Sequence, residues 1–399
     1  MDDSASPILR VIHDLAEVRA ETWNSVANPA GDISNPFLSH AFLNALEESG
    51  SATRKTGWMP YHLLLETSDG GQLLGAMPMY LKSHSRGEYV FDHGWADAFE
   101  RAGGHYYPKL QVSVPFTPAT GPRLLTRPGA ERLDHQASLA AGAVEVAKRL
   151  GVSSLHITFL PQSQSALLTR IGFLQRTDQQ FHWHNQGYRH FDDFLDSLAS
   201  RKRKMIRKER ERAVEHGVTI ERLSGSDITE AHWDAFFTFY MDTGNRKWGS
   251  PYLTRTFFSL IGERMPKDIL LVMARRDGRY IAGAINFIGG DALYGRNWGA
   301  IEHHPYLHFE CCYYQAIDFA IERGLARVEA GAQGEHKLAR GYLPAMTFSA
   351  HWIANESFHE AVAQYLARER ANVDHDIALL SEYSPFKHQS AEQPQEDEF

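Results

Sequence analysis

Two stretches of the sequence gather the side chains that can move protons and hold developing charge. IEHHPYLHFE supplies Glu302, His303, His304, His308 and Glu310, and GAQGEHKLARGYLP supplies Gln333, Glu335, His336, Lys337 and Arg340. Group-transfer chemistry needs a base for its nucleophile, donors for a developing oxyanion and an acid for the leaving group. Neutral imidazole or a carboxylate of raised pKa suits the first task, and a lysine or exposed strand N–H groups suit the second. Glu335, His336, His308 and Glu310 are therefore the candidate catalytic residues. Asn297, Trp298, Glu329, Lys337 and Arg340 flank them as candidate substrate contacts. A plainer explanation competes, since a glutamate in the first turn of a helix is favoured by the helix dipole alone. His303, His304, His308 and Glu310 match no strong metal-ligand spacing, and no metal is expected. Cys311 and Cys312, the only cysteines, face different sides of a helix, at least one of them the core; neither is read as a catalytic thiol.

Two further segments have unusual chemistry. RKRKMIRKERERAVEH, residues 201–216, opens with six cations before Glu209, its first carboxylate. Such a run is commonly a solvated helix face with Glu–Arg pairs one turn apart. It also suits phosphate, and Arg203, Lys204 and Arg207 are the candidate contacts, without base-specific reading. Residues 242–258, DTGNRKWGSPYLTRTFF, mix polar and aromatic side chains without periodicity. Arg246, Trp248 and Tyr252, with Asn245 and Arg255, are candidates to frame a substrate channel; a loop anchored by buried aromatics is the bland alternative.

The elements that must position these residues repeat. YHLLLETSDGGQLLGAMPMYL and DILLVMARRDGRYIAGAINFI both read as hairpins around an Asp-Gly turn. A third strand is expected after each, ending near Trp95 in the first copy and Trp298 in the second. Helix-periodic runs follow at residues 138–151 and 309–324, each stopped by glycine. Short strands come next (VSSLHITFL and LARVEAGA), then LLTRIGFL and KLARGYLP, then FHW and AHW. Helices are expected ahead of each copy, near residues 39–49 and 227–240. The order predicts an α/β chain with mixed sheets in two tandem units. The units span residues 1–186, with an insertion at 82–130 read as a functional loop or lid, and 187–386, with the basic lead-in at 201–216. Residues 387–399 are expected to be a disordered acidic tail. Only the second unit has the Glu-His-Lys cluster, which places the expected site there.

The meander–helix–strand order resembles the GNAT acyltransferase fold, and two in tandem resemble the Fem-type aminoacyltransferases of peptidoglycan cross-bridge synthesis. The motifs RNWGA, LHFECCYYQ and GAQGEHKLARGYLP are similar to those of the Fem-like predicted N-acyltransferases, a peptidoglycan biosynthesis family, and the likeness runs over about residues 37–380. It implies an N-acyl or aminoacyl transferase acting on an amine acceptor, without a tightly bound cofactor. The glycine-rich loop that holds pyrophosphate in CoA-dependent GNAT enzymes is missing where IEHHPYLHFE stands. This points away from ordinary acetyl-CoA and toward aminoacyl-tRNA, or toward acyl-CoA or acyl-ACP bound differently. A fatty-acyl transferase and a non-catalytic binder of a nucleotide- or lipid-linked ligand are the alternatives. By the same likeness, the basic segment would meet tRNA, a nucleotide-linked precursor or an anionic lipid.

At 399 residues and net charge −8, the chain accommodates two ordinary domains and is unsuited to coating nucleic acid wholesale. No apolar run reaches membrane-spanning length. The N-terminus lacks a secretory pattern, and the cysteine usage suits a reducing compartment. A cytoplasmic protein, or one peripheral to the inner membrane face, is expected.

Overall fold

The computed structural model describes residues 7–247, 251–331 and 334–387. The first half contributes β1 (Ile8–Ile12), β2 (Trp58–Pro60), β3 (His62–Glu66), β4 (Leu73–Met77), β5 (Met79–Lys82), β6 (Lys109–Val112), β7 (Leu125–Thr126), β8 (Ser154–Leu160) and β9 (Leu174–His184). The second contributes β10 (Thr219–Ser224), β11 (Ile269–Arg276), β12 (Arg279–Ile288), β13 (Ala292–Ala300), β14 (Arg327–Glu329) and β15 (Leu343–Ile353).

Local chemistry explains the hairpins. Asp277 and Gly278 both adopt positive φ, 49° and 78°, which suits the right-handed twist of β11 and β12 at a two-residue turn. Helix Arg132–Leu150 stops at left-handed Gly151, and the helical run from Leu307 to Glu322 is followed by Gly324 at φ 64°.

Four strands form a small sheet in the order β1-β3-β4-β7, and eleven form a second in the order β10-β11-β12-β13-β14-β9-β15-β8-β6-β5-β2. The large sheet crosses the boundary at residues 186 and 187. β9 leaves β8 to pair antiparallel with β14, and β15 of the second half lies between β9 and β8. The core crosses it too. Phe37 packs 5.1 Å from both Phe287 and Tyr294, and Phe42 packs 5.6 Å from Phe257. These rings share one buried cluster with Trp23 and Trp233.

Three expectations need correction. Trp95 lies in helix His93–Arg101, not at the end of a strand. The preceding run carries Gly87 and Tyr89 at positive φ, two left-handed residues in three, which breaks a regular extended run. The 82–130 insertion is not only a loop, since β6 pairs parallel with β8 inside the large sheet. Residues 242–247, expected to be irregular, continue helix Glu230–Lys247.

Candidate functional site

The site begins where β13 and β14 part. They pair in parallel only between Ala292–Tyr294 and Arg327–Glu329. Beyond that, β13 remains with β12 while the chain after Glu329 turns away. β13 carries a bulge here: Asn286 faces Gly295 and Ile285 faces Asn297, leaving Arg296 as the extra residue. A cleft of about 850 Å³ opens at this split. Its floor includes Arg296, Asn297, Ala330 and Gly331; His308 and Tyr313 border one side, His336 and Lys337 another. The first half closes the rest with Tyr89, Phe91, Pro118 and Phe159, and Gln180 and Phe181 of β9 reach it as well.

Backbone irregularity aims several of these side chains. Tyr89, Phe116 and Phe159 have φ of 60°, 60° and 56°, left-handed values that cost bulky residues about 1–3 kcal/mol each. The strain around Phe159 goes with a register jump in which Thr158 and Leu160, but not Phe159, face β15. Residues Glu310–Tyr314 form a π-turn inside the helical run, a distortion frequent at functional sites.

Tyr313 Oη and His336 Nε2 share a 2.9 Å hydrogen bond. The His308 ring lies 5.4 Å from that of Tyr313 and 6.3 Å from that of His336. Burial, reinforced by Arg340 and Lys337, lowers the His336 pKa, which favours the neutral imidazole that can accept a proton. Burial holds the Tyr313 hydroxyl above its ordinary value, so it stays protonated as a donor. Lys337 is 2% exposed and donates to the Gly331 carbonyl at 3.0 Å. Burial pushes its pKa down to about 8.

That depression has a sign that can be measured. The fold disfavours charged Lys337, so stability is lost below about pH 8 and recovered above the unfolded value of 10.5. Lys337→Met should raise stability at pH 7 by about 1–3 kcal/mol, and the gain should vanish above pH 10.5. Urea melts at the two pH values check this; a pH-independent difference would contradict it.

Of the residues singled out from the sequence, Asn297, His308, His336, Lys337 and Tyr252 meet at the cleft. Tyr252 stacks on Phe116 at 4.8 Å. Trp298 borders a smaller adjoining pocket that shares Arg296, Asn297 and His308 with the cleft. Glu310 does not line the cleft; Arg210 takes both its oxygens at 3.0 and 3.1 Å, and Gln315 donates to it as well. Glu329 is buried against Arg327 at 2.9 Å. Arg340 is buried in a bidentate pair with Glu209 at 2.7 and 3.1 Å, and it donates to the His336 carbonyl at 2.6 Å. It holds the turn that carries His336 and is not itself among the cleft-lining residues. Arg255 pairs with Glu230 and Asp234. Trp248 and Gln333, the side chains of Asn245, Arg246 and Glu335, and residues 388–399 of the expected tail lie outside the described residues.

The basic stretch forms helix Ser200–Ala213. Arg203 pairs with Asp196 at 2.8 Å and Arg207 with Asp192 at 3.4 Å, whereas exposed Lys204 has no ion pair among the described residues. Glu209, on the same helix, faces inward to Arg340 and accepts the Tyr314 hydroxyl.

Tyr313, Arg296 and Tyr89 were not picked out from the sequence. The first two stand inside LHFECCYYQ and RNWGA, beside residues that were. Nothing in GEYVF marks Tyr89.

Residues 14–388 match the model of the FemAB-like family, described as peptidoglycan biosynthesis/recognition. No curated protein matches the sequence. Among solved structures, the chain resembles FemX at TM-score 0.54 and 12% identity, over 89% of this chain and 100% of that one. It also resembles the C-terminal domain of a putative lysylphosphatidylglycerol synthetase from Agrobacterium fabrum (TM-score 0.53, 10% identity, 89% and 97% covered). At these identities the likeness establishes the fold, a mixed α/β arrangement of the kind expected from the sequence.

Proposed function

We propose, from the premise that this chain belongs to the FemAB-like family, that the cleft transfers an acyl or aminoacyl group to an amine. The observation that carries the reading is the Tyr313–His336 hydrogen bond beside Lys337, at the place where β13 and β14 separate. Neutral His336 takes a proton from the ammonium of the acceptor, and the freed amine attacks the acyl carbon. The Lys337 ammonium and strand-end N–H groups face the oxyanion. The C–O or C–S bond to the donor breaks as the tetrahedral intermediate collapses; the leaving group takes the first proton through the Tyr313–His336 pair, and the freed imidazole accepts the second proton that the attacking nitrogen sheds to become the amide. His308 borders the same space as a substrate contact.

The family's link to peptidoglycan favours an acceptor amine on a cell-envelope precursor. Aminoacyl-tRNA is the preferred donor, and exposed Arg201, Lys204 and Lys208 on the basic helix suit its phosphates. An anionic lipid surface would meet the same cations at the inner membrane face. No described helix is long and apolar enough to cross a membrane.

The test supplies purified protein with labelled aminoacyl-tRNA or labelled long-chain acyl-CoA, together with amines that include lipid- and nucleotide-linked peptide precursors. Transfer from aminoacyl-tRNA is the expected result. Transfer from acyl-CoA alone would replace the donor with a thioester. No transfer from either would favour a protein that only binds.

A further inference from the structure

Arg296 borders the cleft without a carboxylate partner among the described residues. Two other guanidinium groups in this half of the chain have matched carboxylates. Arg340 has the Glu209 carboxylate, and Arg327 has Asp291 and Glu329. Fully buried Arg123 has no carboxylate, but its fork is filled by the backbone carbonyls of Ala119, Gly121, Pro122 and Thr158. Arg296 reaches the carbonyl of Phe116 and the Tyr89 hydroxyl. Among the described residues it forms no ion pair, and Asp178 is the only carboxylate that borders its cleft. Burial depresses its pKa, as expected for a guanidinium short of acceptors. A guanidinium carries five N–H donors, more than these two partners use, and Arg296 is only half-buried.

The backbone makes this arrangement deliberate. Arg296 is the bulge residue of β13, so its side chain leaves the ladder. It borders the main cleft and both smaller pockets beside it. The two residues that touch it, Tyr89 and Phe116, are both left-handed and both come from the first half. Strained positions on each side converge on one fork with donors to spare.

We infer that Arg296 anchors an oxyanion of the substrate, a carboxylate or a phosphate, at the floor of the cleft. Tyr89 and Phe116 set the plane of the guanidinium, which leaves a bidentate face for the ligand. The acceptor or donor therefore bears a negative group close to the reacting amine or acyl carbon. This deepens the transfer reading above and rests on it for the assignment of the anion to a substrate.

The test titrates the full chain with inorganic phosphate, pyrophosphate and acetate at constant ionic strength, read by calorimetry and by ligand-induced thermal shift. At least one oxyanion should saturate the wild type, and comparing phosphates with acetate identifies the class. Arg296→Met should weaken that binding by about tenfold or more, with Arg296→Lys intermediate because it loses the bidentate face. If Arg296→Met does not fold by circular dichroism, Arg296→Lys and Tyr89→Phe, each weakening binding about threefold, decide instead. Absence of saturable binding by the wild type, or wild-type affinity in the variants that fold, would overturn the inference. Acyl transfer has its own readout. Anion binding that depends on Arg296 without any transfer would sink only the transfer reading, whereas transfer without such binding would sink only this one.

Discussion

His336→Ala should lower the rate constant for acyl transfer by about 10²–10⁴, the range for loss of a general base, with little change in folding stability. The side chain is largely exposed on its 3₁₀ turn, so only ring contacts with His308, Phe309 and Tyr313 are lost with it. Its hydrogen bond to Tyr313 and its lowered pKa make the neutral ring the form present at neutral pH. Wild-type activity should therefore rise with pH through a value below the ordinary imidazole range, then level off. It should fall again as Lys337 gives up its proton near pH 8. In His336→Ala the acid limb should disappear and the alkaline limb remain. Tyr313→Phe should retain the acid limb while losing rate, because it removes the donor and not the base. A pH-rate profile of His336→Ala that keeps the wild-type acid limb would rule out His336 as the base.

The second large effect is on stability and lies outside the cleft. Glu209→Ala should destabilise the protein by about 3–5 kcal/mol, the usual result of removing one member of a buried ion pair. Glu209 is 6% exposed and Arg340 5% exposed. The substitution leaves the guanidinium, which lies 3.4 Å over the Phe309 ring, without its carboxylate. It also strips the Tyr314 hydroxyl of its acceptor. Activity should fall as well, since Arg340 fixes the turn through the His336 carbonyl. The double variant Glu209→Met, Arg340→Met should recover much of the stability without recovering the rate, because apolar side chains relieve the buried charge but cannot hold that carbonyl. Urea unfolding of the single and double variants measures the coupling. Additive losses would show that the pair does not act as a unit.

How much of this was readable beforehand depended on how far each cause acts along the chain. Asp277-Gly278 announces its hairpin because the turn needs positive φ at two adjacent residues, and Gly151 and Gly324 announce helix ends for the same local reason. His308, His336 and Lys337 were found by chemical type, and the split between β13 and β14 brings them to one cleft. Glu310 misled because its type and helix position suit a catalytic carboxylate, while the Arg210 that occupies it lies 100 residues away. Arg340 misled in the same manner: Glu209, 131 residues distant, turns it into a brace.

The sequence alone determined the alternation of strands and helices and the concentration of ionisable groups between Glu302 and Arg340. Each of these rests on composition, hydrophobic period or a backbone angle within a few residues. Tertiary structure decided that β9 and β15 exchange neighbours and that a bulge delivers Arg296. It also decided that Tyr89 from the first half and His336 from the second line one cleft. Strand pairing, charge compensation and strain are settled between residues far apart in the chain, where no local pattern records them.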